Sequence, residues 1–258
     1  MDYKLKGKTA IVTGGATGIG AATAVKFLQE GCNIAVCGRR QEVLDTFVRT
    51  AKEKGFDNVF AKSVDVTTER GIFDFADDVA GKFGSIDIFV NNAGGGLGGP
   101  LMDKTEQEWL QVLQLNLLSS WRGAKAAFPY MKERGGAILN VSAYSGLHPV
   151  AGNGLYSIAK ASVNSLTTVL ASELGQYNIR VNAVCPGRIE TAMTAKAHQT
   201  DAKFYRDPIA LARWGSVDEV ASVIVFLCSQ ASSYVTGELI DVSGGKFLVQ
   251  NQARYDGR

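Results

Sequence analysis

Near its start the chain reads Thr9-Ala10-Ile11-Val12-Thr13-Gly14-Gly15-Ala16-Thr17-Gly18-Ile19-Gly20. The first five residues of this stretch predict a buried strand, and residues 19–29 have the length and pattern of a helix. A glycine-rich turn between a strand and a helix is a typical binding loop for a pyrophosphate. Gly14 can take the tight turn, Gly18 lets backbone amides approach the phosphates, and Gly20 lets the helix press on the sheet. We therefore predict that this loop holds a dinucleotide through Gly14, Ala16, Thr17, Gly18, Ile19 and Gly20.

Strand and helix patterns alternate along the rest of the chain. Six further β-branched or apolar runs predict strands at residues 33–37, 59–66, 86–91, 137–142, 179–184 and 238–242. Helix-length segments lie between them at residues 42–54, 72–83, 106–132, 156–174 and 217–228. This alternation predicts an α/β fold, a doubly wound parallel (Rossmann) sheet of about seven strands flanked by helices.

The organisation of the chain predicts one domain over residues 1–258. Five prolines are scattered along it, and we find no low-complexity tract and no internal repeat. A polar insert before the last helix is typical of a loop over an active site, and we predict a substrate lid at about 192–213.

Composition excludes several classes of function. With 27 Lys and Arg against 25 Asp and Glu, the net charge of +2 lacks the basic excess of nucleic-acid binding proteins. We see no apolar run of the roughly 20 residues that span a bilayer and no signal-peptide core, so we expect no membrane role and a cytoplasmic location. Four cysteines and two histidines lack metal-ligand spacing, so we predict no metal site and read each cysteine as a buried apolar residue.

The end of the second predicted strand indicates which dinucleotide is bound. NAD binders place a carboxylate there, about 20 residues after the loop, to accept hydrogen bonds from the ribose 2′-hydroxyl. This chain has Arg39 and Arg40 instead, and two guanidinium groups suit a 2′-phosphate. We therefore predict NADP(H) in preference to NAD(H). The alternative is that both arginines are solvated surface charges.

A candidate acid and base occur together at the start of the helix predicted at 156–174. Tyr156 and Lys160 are four residues apart and therefore share one helix face. A free tyrosine has a pKa near 10, so a nearby ammonium group and an oxidised nicotinamide are needed to lower it. Together they predict a proton-transfer site, the alternative being an exposed packing pair.

Further stretches match one family in order and spacing. They are Asp65-Val66, Asn91-Asn92-Ala93-Gly94, Asn116 within LQLNLLSS, Tyr156 to Lys160, and Cys185-Pro186-Gly187-Arg188-Ile189-Glu190-Thr191. Through them the sequence resembles the short-chain dehydrogenase/reductase family over nearly its whole length, within the 3-oxoacyl-reductase-like subgroup that has the YxxxK motif. The resemblance implies Tyr156 as general acid/base, Lys160 as the residue that depresses its pKa, and Asn116 as the organiser of a water chain. It also implies that the remaining coenzyme contacts are Asp65, Val66, Asn92, Ala93, Gly94, Tyr156, Lys160, Pro186, Gly187, Ile189 and Thr191.

One position departs from the family pattern. The family's substrate-orienting serine falls at position 143, which is alanine here. Losing one donor to a developing oxyanion typically costs about 10²–10³-fold in rate. Three interpretations stand: Ser142 or Ser145 substitutes, the reaction tolerates the loss, or the chain is a disabled form. On a regular strand Ser142 points away from the face of position 143, so it needs a local bulge to substitute.

By resemblance, the chain reduces a carbonyl to a secondary alcohol, or the reverse. The predicted substrate pocket is lined by Gly95, Gly96, Leu97, Tyr144, Leu147, His148, Asn153 and Met193. The alternatives are an enoyl-thioester reductase of the same fold, against which the intact Tyr156 and Lys160 argue, and a cofactor-binding protein with little or no turnover. The family commonly pairs the helix at 156–174 across a dyad, which implies a homotetramer. The small residues of that helix also fit simple packing on the sheet.

Overall fold

The computed structural model describes residues 3–192, 194 and 209–246. In this part of the chain seven strands form one sheet in the order β3-β2-β1-β4-β5-β6-β7, and all neighbouring strands are parallel. The strands are β1 (Thr9–Thr13), β2 (Asn33–Gly38), β3 (Val59–Ser63), β4 (Ile88–Asn91), β5 (Gly136–Val141), β6 (Ile179–Pro186) and β7 (Leu239–Val242). The predicted α/β fold with a doubly wound parallel sheet is confirmed.

Helices cover both faces of the sheet because each has one apolar face to bury. One face carries α1 (Gly18–Gln29), α2 (Gln41–Glu53) and α7 (Val217–Cys228). The other carries α3 (Gly71–Phe83), α5 (Ser119–Met131) and α6 (Gly154–Leu174). A shorter helix, α4 (Glu106–Leu113), packs against α6 through Val112 and Leu155.

The prediction of one continuous helix over residues 106–132 is wrong. After α4 the chain forms a π-helical turn at Gln114–Leu118, which we call the π turn, and α5 begins only at Ser119. Two serine hydroxyls stabilise this break, since Ser119 Oγ donates to the Leu115 carbonyl oxygen (2.6 Å) and Ser120 Oγ to that of Asn116 (2.7 Å). Such bonds to the preceding turn bend helices, and π-helical turns are frequent at functional sites.

Strand order places a crevice at the centre of the sheet. After β1 the chain adds β2 and β3 on one side, and it then adds β4 to β7 on the other side of β1. The direction in which strands are added therefore reverses between β1 and β4. Ligands of open α/β sheets bind at this point, outside the carboxyl ends of the strands. The glycine-rich loop follows β1, and Asn92-Ala93-Gly94 follows β4.

Three other predictions concern composition. All four cysteines are free and buried, as predicted. Within the described ranges, no helix is long and apolar enough to cross a membrane. The same residues include no cluster of three or more His, Cys, Asp or Glu side chains that could hold a metal ion.

Candidate active site

The glycine-rich loop is closely packed against its own first turn. Gly14 has a φ of +63°, and its amide donates to the carbonyl oxygen of Cys37 (2.8 Å). A Cβ on Gly20 would lie 2.3 Å from the Gly14 carbonyl oxygen, so only glycine fits there. Helix α1 begins at Gly18, and within the described chain neither a Thr17 side-chain cap nor an acidic residue occupies its first turn. Its first amides therefore point outward with a partial positive charge, which suits a pyrophosphate.

The segment after β4 holds this loop in place. Asn92 Nδ2 donates to the carbonyl oxygens of Thr13 (2.9 Å) and Gly14 (3.2 Å). In return, the Thr13 hydroxyl accepts from the amides of Asn92 and Ala93, both at 3.0 Å. The Asn92 side chain, predicted as a coenzyme contact, thus supports the loop itself.

A cavity of about 490 Å³ opens beside the loop. Four chain segments that the sequence proposed for coenzyme binding meet in it: the glycine-rich loop and the residues that follow β2, β3 and β4. Its lining includes Gly14, Ala16, Thr17, Arg39, Arg40, Asp65, Val66, Ala93 and Gly94, together with the apolar Val43, Leu44, Val64 and Leu115. These apolar residues carry no sequence motif, so only the structure assigns them to the cavity.

Asp65 is held as a carboxylate at the rim of this cavity. Its Oδ1 accepts from the hydroxyl (2.7 Å) and the amide (2.9 Å) of Thr67. These bonds keep the pKa of Asp65 below its ordinary value, and the nearby charge of Arg39 acts in the same direction. An ionised carboxylate can accept hydrogen bonds from an adenine amino group.

The segment from Pro186 to Thr191 approaches the glycine-rich loop at its carboxyl end. The Gly187 amide donates to the Val242 carbonyl oxygen (3.0 Å), and the Ile189 side chain is buried. The methyl group of Thr191 lies close to Gly18, at 3.8 Å from where a Cβ would stand. The Thr191 hydroxyl is paired with that of Thr194 at 3.0 Å.

Two elements, the π turn and α6, bring Asn116, Tyr156 and Lys160 close together. Asn116 lies in the π turn, where its Nδ2 donates to the carbonyl oxygens of Gly95 (2.7 Å) and Val112 (2.8 Å). Tyr156 and Lys160 lie on α6, with Nζ 5.7 Å from the centre of the Tyr156 ring. A Cβ on Gly94 would be 2.9 Å from Asn116 Oδ1 and 3.0 Å from Lys160 Nζ, so glycine alone leaves room where these two groups meet.

Burial dominates the ionisation of the tyrosine and the lysine. Lys160 is only 3% exposed, its Nζ donates to the Val141 carbonyl oxygen (2.7 Å), and desolvation lowers its pKa to about 8. Desolvation raises the pKa of Tyr156 to about 12. The lowering of the tyrosine pKa by Lys160 together with an oxidised nicotinamide stays a prediction. At neutral pH the phenol is protonated.

Ala143 follows β5 in an extended conformation and is 9% exposed. The neighbouring hydroxyl of Ser142 is buried and donates to the main-chain oxygen of Lys160 (3.1 Å). This bond connects the end of β5 to α6. Of the two proposed substitutes, Ser145 is partly exposed.

The residues predicted to line the substrate pocket divide into two groups. Gly95 and Gly96 lie at the site, and a Cβ on Gly96 would be 2.7 Å from that of Tyr156. Leu97 instead packs on Val112 and Leu155, and Tyr144 is buried with its hydroxyl donating to the Lys246 carbonyl oxygen (2.8 Å). His148 is exposed and stacks on Tyr144, and Leu147 and Asn153 are partly exposed. Met193 and most of the predicted lid lie outside the described residues.

Comparisons with known proteins identify families and structures that this chain is similar to. A family model described as enoyl-(acyl carrier protein) reductase matches residues 14–246. The chain is 40% identical over 243 residues to a 3-oxoacyl-[acyl-carrier-protein] reductase of Thermotoga maritima, covering 94% of this chain and 98% of the relative. It is 37% identical over 246 residues to a 3α-hydroxysteroid dehydrogenase of Mediterraneibacter gnavus, covering 95% and 98%. The structure of L-sorbose reductase from Gluconobacter frateurii with NADPH and L-sorbose matches with a TM-score of 0.91 at 32% identity, covering 96% of this chain and 100% of that one.

Proposed function

The chain belongs to the short-chain dehydrogenase/reductase family, and we propose that it reduces a carbonyl to a secondary alcohol, or the reverse, with NADP(H) and with Tyr156 as general acid and base. NAD(P)-dependent oxidoreduction of carbonyl and alcohol groups is the activity of the family. The observation that carries the finer proposal is that Asn116 and Lys160 meet at Gly94, on the rim of the dinucleotide cavity, and that Tyr156 packs two residues further along at Gly96.

The preference for NADP(H) is supported by the charges around the cavity. Arg39 and Arg40 line it, and Gly38 at the end of β2 has no carboxylate to bind a ribose 2′-hydroxyl. Two guanidinium groups can bind a 2′-phosphate by charge-assisted hydrogen bonds. The structurally similar L-sorbose reductase was solved with NADPH.

The chain's own residues account for the proton transfer. When bound, the nicotinamide coenzyme supplies the hydride that forms the new C–H bond at the carbonyl carbon. The Tyr156 phenol, protonated at neutral pH, gives its proton to the carbonyl oxygen as the C=O π bond breaks. Lys160, fixed by the Val141 carbonyl oxygen, stabilises the phenolate that remains. In alcohol oxidation the same groups take the proton back.

The substrate class is proposed from the relatives. Their names give 3-oxoacyl thioesters, hydroxysteroids and L-sorbose, all of which carry a ketone or a secondary alcohol. The description of the matching family model gives a second candidate, the reduction of an enoyl thioester. We further propose that the whole chain forms one domain whose lid over the small-molecule substrate lies at about 192–213.

The experiment that tests this function follows loss of reduced-nicotinamide absorbance with NADPH and NADH. The substrate panel holds 3-oxoacyl thioesters, ketoses, 3-ketosteroids and 2-enoyl thioesters. Three proteins are compared: the natural chain, Tyr156→Phe and Ala143→Ser. We expect turnover of a carbonyl substrate with NADPH and a loss of about 10³-fold or more in Tyr156→Phe, because the proton donor is removed. NADPH binding, measured by fluorescence, should persist in that variant, because the other predicted coenzyme contacts are intact.

Ala143→Ser separates the interpretations of position 143. Turnover by the natural chain, raised less than about tenfold by the serine, means that the reaction tolerates the loss or that Ser142 or Ser145 replaces it. Activity only in Ala143→Ser means that the alanine disables an ordinary reductase. Turnover of enoyl thioesters alone would favour the second candidate. NADPH binding without turnover in either protein would favour a cofactor-binding role and contradict the proposal.

A further inference from the structure

A line of hydrogen-bonded, buried polar side chains runs from β4 over β5 to α6 beneath the site. Asn91 and Asn140 are opposite each other in the register of β4 and β5, and Asn91 Nδ2 donates to Asn140 Oδ1 (2.9 Å). Asn140 Nδ2 donates to the Thr167 hydroxyl on α6 (2.9 Å), which donates to the Val163 carbonyl oxygen (2.8 Å). Asn140 and Thr167 are 0% exposed. We call Asn91, Asn140 and Thr167 the amide ladder.

The other end of the amide ladder reaches the π turn. Asn91 Nδ2 also donates to the carbonyl oxygen of Ser120 (3.1 Å), the second residue of α5. The Ser120 hydroxyl in turn donates to the carbonyl oxygen of Asn116 (2.7 Å). Helix α5 approaches closely here, since a Cβ on Gly123 would be 2.0 Å from Asn91 Oδ1. The ladder therefore connects the turn that carries Asn116 to the helix that carries Tyr156 and Lys160.

Stability alone does not require such a line of amides in a core. Buried polar groups gain little net free energy from pairing, and apolar residues of similar volume are often as good. What hydrogen bonds add is direction, because apolar contacts stabilise many relative positions of two helices about equally. The site depends on the relative position of the π turn and α6, because Asn116 Oδ1 and Lys160 Nζ both lie within 3.0 Å of the point where a Cβ on Gly94 would stand.

We infer that Asn140 and Thr167 are positioning residues that set the spacing between the Asn116 turn and the Tyr156–Lys160 face of α6. The inference rests on the proposed function of those three residues. Asn140 and Thr167 are not among the residues that line the coenzyme cavity, and the ladder acts through the two elements it joins. A displacement of about 1 Å at a reacting centre can cost about 10²-fold in rate, so a partial loss of this alignment should be measurable.

The test is Thr167→Val, which keeps the shape of the side chain but removes the hydroxyl and leaves Asn140 Nδ2 without its acceptor. The matched control is Thr9→Val, at the amino end of the interior strand β1. Thr9 is also 0% exposed, and its hydroxyl also accepts from an asparagine amide, that of Asn33 (3.4 Å). We expect kcat to fall about tenfold in Thr167→Val with the KM for NADPH within about twofold, no such fall in Thr9→Val, and recovery in Thr167→Ser.

A second readout does not depend on turnover. Hydrogen exchange of the main-chain amides of the π turn should be faster in Thr167→Val and unchanged in Thr9→Val, because only the first variant releases the ladder. Equal kcat values in the two valine variants, with unchanged exchange at the π turn, would overturn the inference. If the natural chain turns over no substrate, the proposed function has failed, and the exchange rates still decide this question. If Thr167→Val does not fold, Thr167→Ala compared with Thr167→Ser isolates the same hydroxyl.

Discussion

At the scale of single residues, Lys160 combines a charge with almost complete burial. Its ammonium group has the Val141 carbonyl oxygen as hydrogen-bond acceptor, and desolvation lowers its pKa from 10.5 to about 8. Below pH 8 the lysine is charged in both the folded and the unfolded chain. Between about pH 8 and 10.5 only the unfolded chain keeps the proton, so the free energy of unfolding rises with pH across this window.

The rise of the free energy of unfolding with pH can be tested by comparing the natural chain with Lys160→Met. The free energy of unfolding of the natural chain, minus that of the variant, should rise between pH 8 and 10.5 by up to about 3 kcal/mol. Denaturant unfolding at a series of pH values measures the difference, and Lys125→Met, a change at an exposed lysine, is the control. A difference that stays flat across the window would mean that Lys160 titrates as an ordinary lysine.

Arg39 and Arg40 carry the prediction on coenzyme preference. The Arg39 carbonyl oxygen accepts from the Ser63 hydroxyl (3.1 Å), which fixes the backbone while both side chains stay exposed. Removing both guanidinium groups in Arg39→Ala/Arg40→Ala should raise the Kd for NADPH about 10- to 100-fold and leave that for NADH nearly unchanged. Fluorescence titration of each nucleotide measures both constants. Arg49→Ala/Lys52→Ala, at two exposed positions on α2, controls for the loss of two positive charges. An equal loss for NADH would contradict a 2′-phosphate site.

Among the secondary-structure elements, the segment at 106–132 contains one feature that the sequence predicts, the start of α4, and one that it does not predict, the π turn. Thr105 and Glu108 form a capping box at the start of α4, a pattern visible in the sequence. The π turn is not visible, because Gln114–Leu118 has ordinary helix-forming residues and an uninterrupted apolar period. Its only local signal is the pair Ser119-Ser120, and the position of Asn116 follows from the turn. A prediction of one helix over this segment therefore locates α4 and α5 correctly and misses the π turn between them.

The same contrast holds for the candidate site. The glycine-rich loop and the Tyr156–Lys160 pair were predictable, because each depends on neighbours along the chain. The raised pKa of Tyr156 and the Val141 carbonyl contact of Lys160 were not, since both arise from burial among residues that the fold brings together. The Asn140–Thr167 bond was likewise invisible, because neither residue belongs to a local motif.

At the scale of the whole molecule, the helices on one face leave apolar side chains uncovered. On α6, Ile158, Ser162, Ser165 and Val169 repeat at helical spacing, and Val169 is 52% exposed. Of the small residues of the same helix, Ala171 is buried in the core against the sheet and Ala159 is buried against α4. Beside this stripe, Leu110, Leu118 and Trp121 are also exposed on α4, the π turn and α5. Exposed apolar groups that cluster on adjacent helices are typical of a protein interface.

We therefore predict that this face joins copies of the chain in a homotetramer, as the family resemblance implies. Light scattering should give a mass of four times 27.5 kDa. Val169→Asp buries a charge in the interface, so the mass should fall to that of the dimer or the monomer at micromolar concentration. Thr50→Asp, which adds the same charge on exposed α2 across the sheet, should leave the mass unchanged. A natural chain that stays at 27.5 kDa would contradict the tetramer. If the tetramer survives Val169→Asp, its interfaces lie on another face, because no close-packed contact tolerates an unpaired carboxylate.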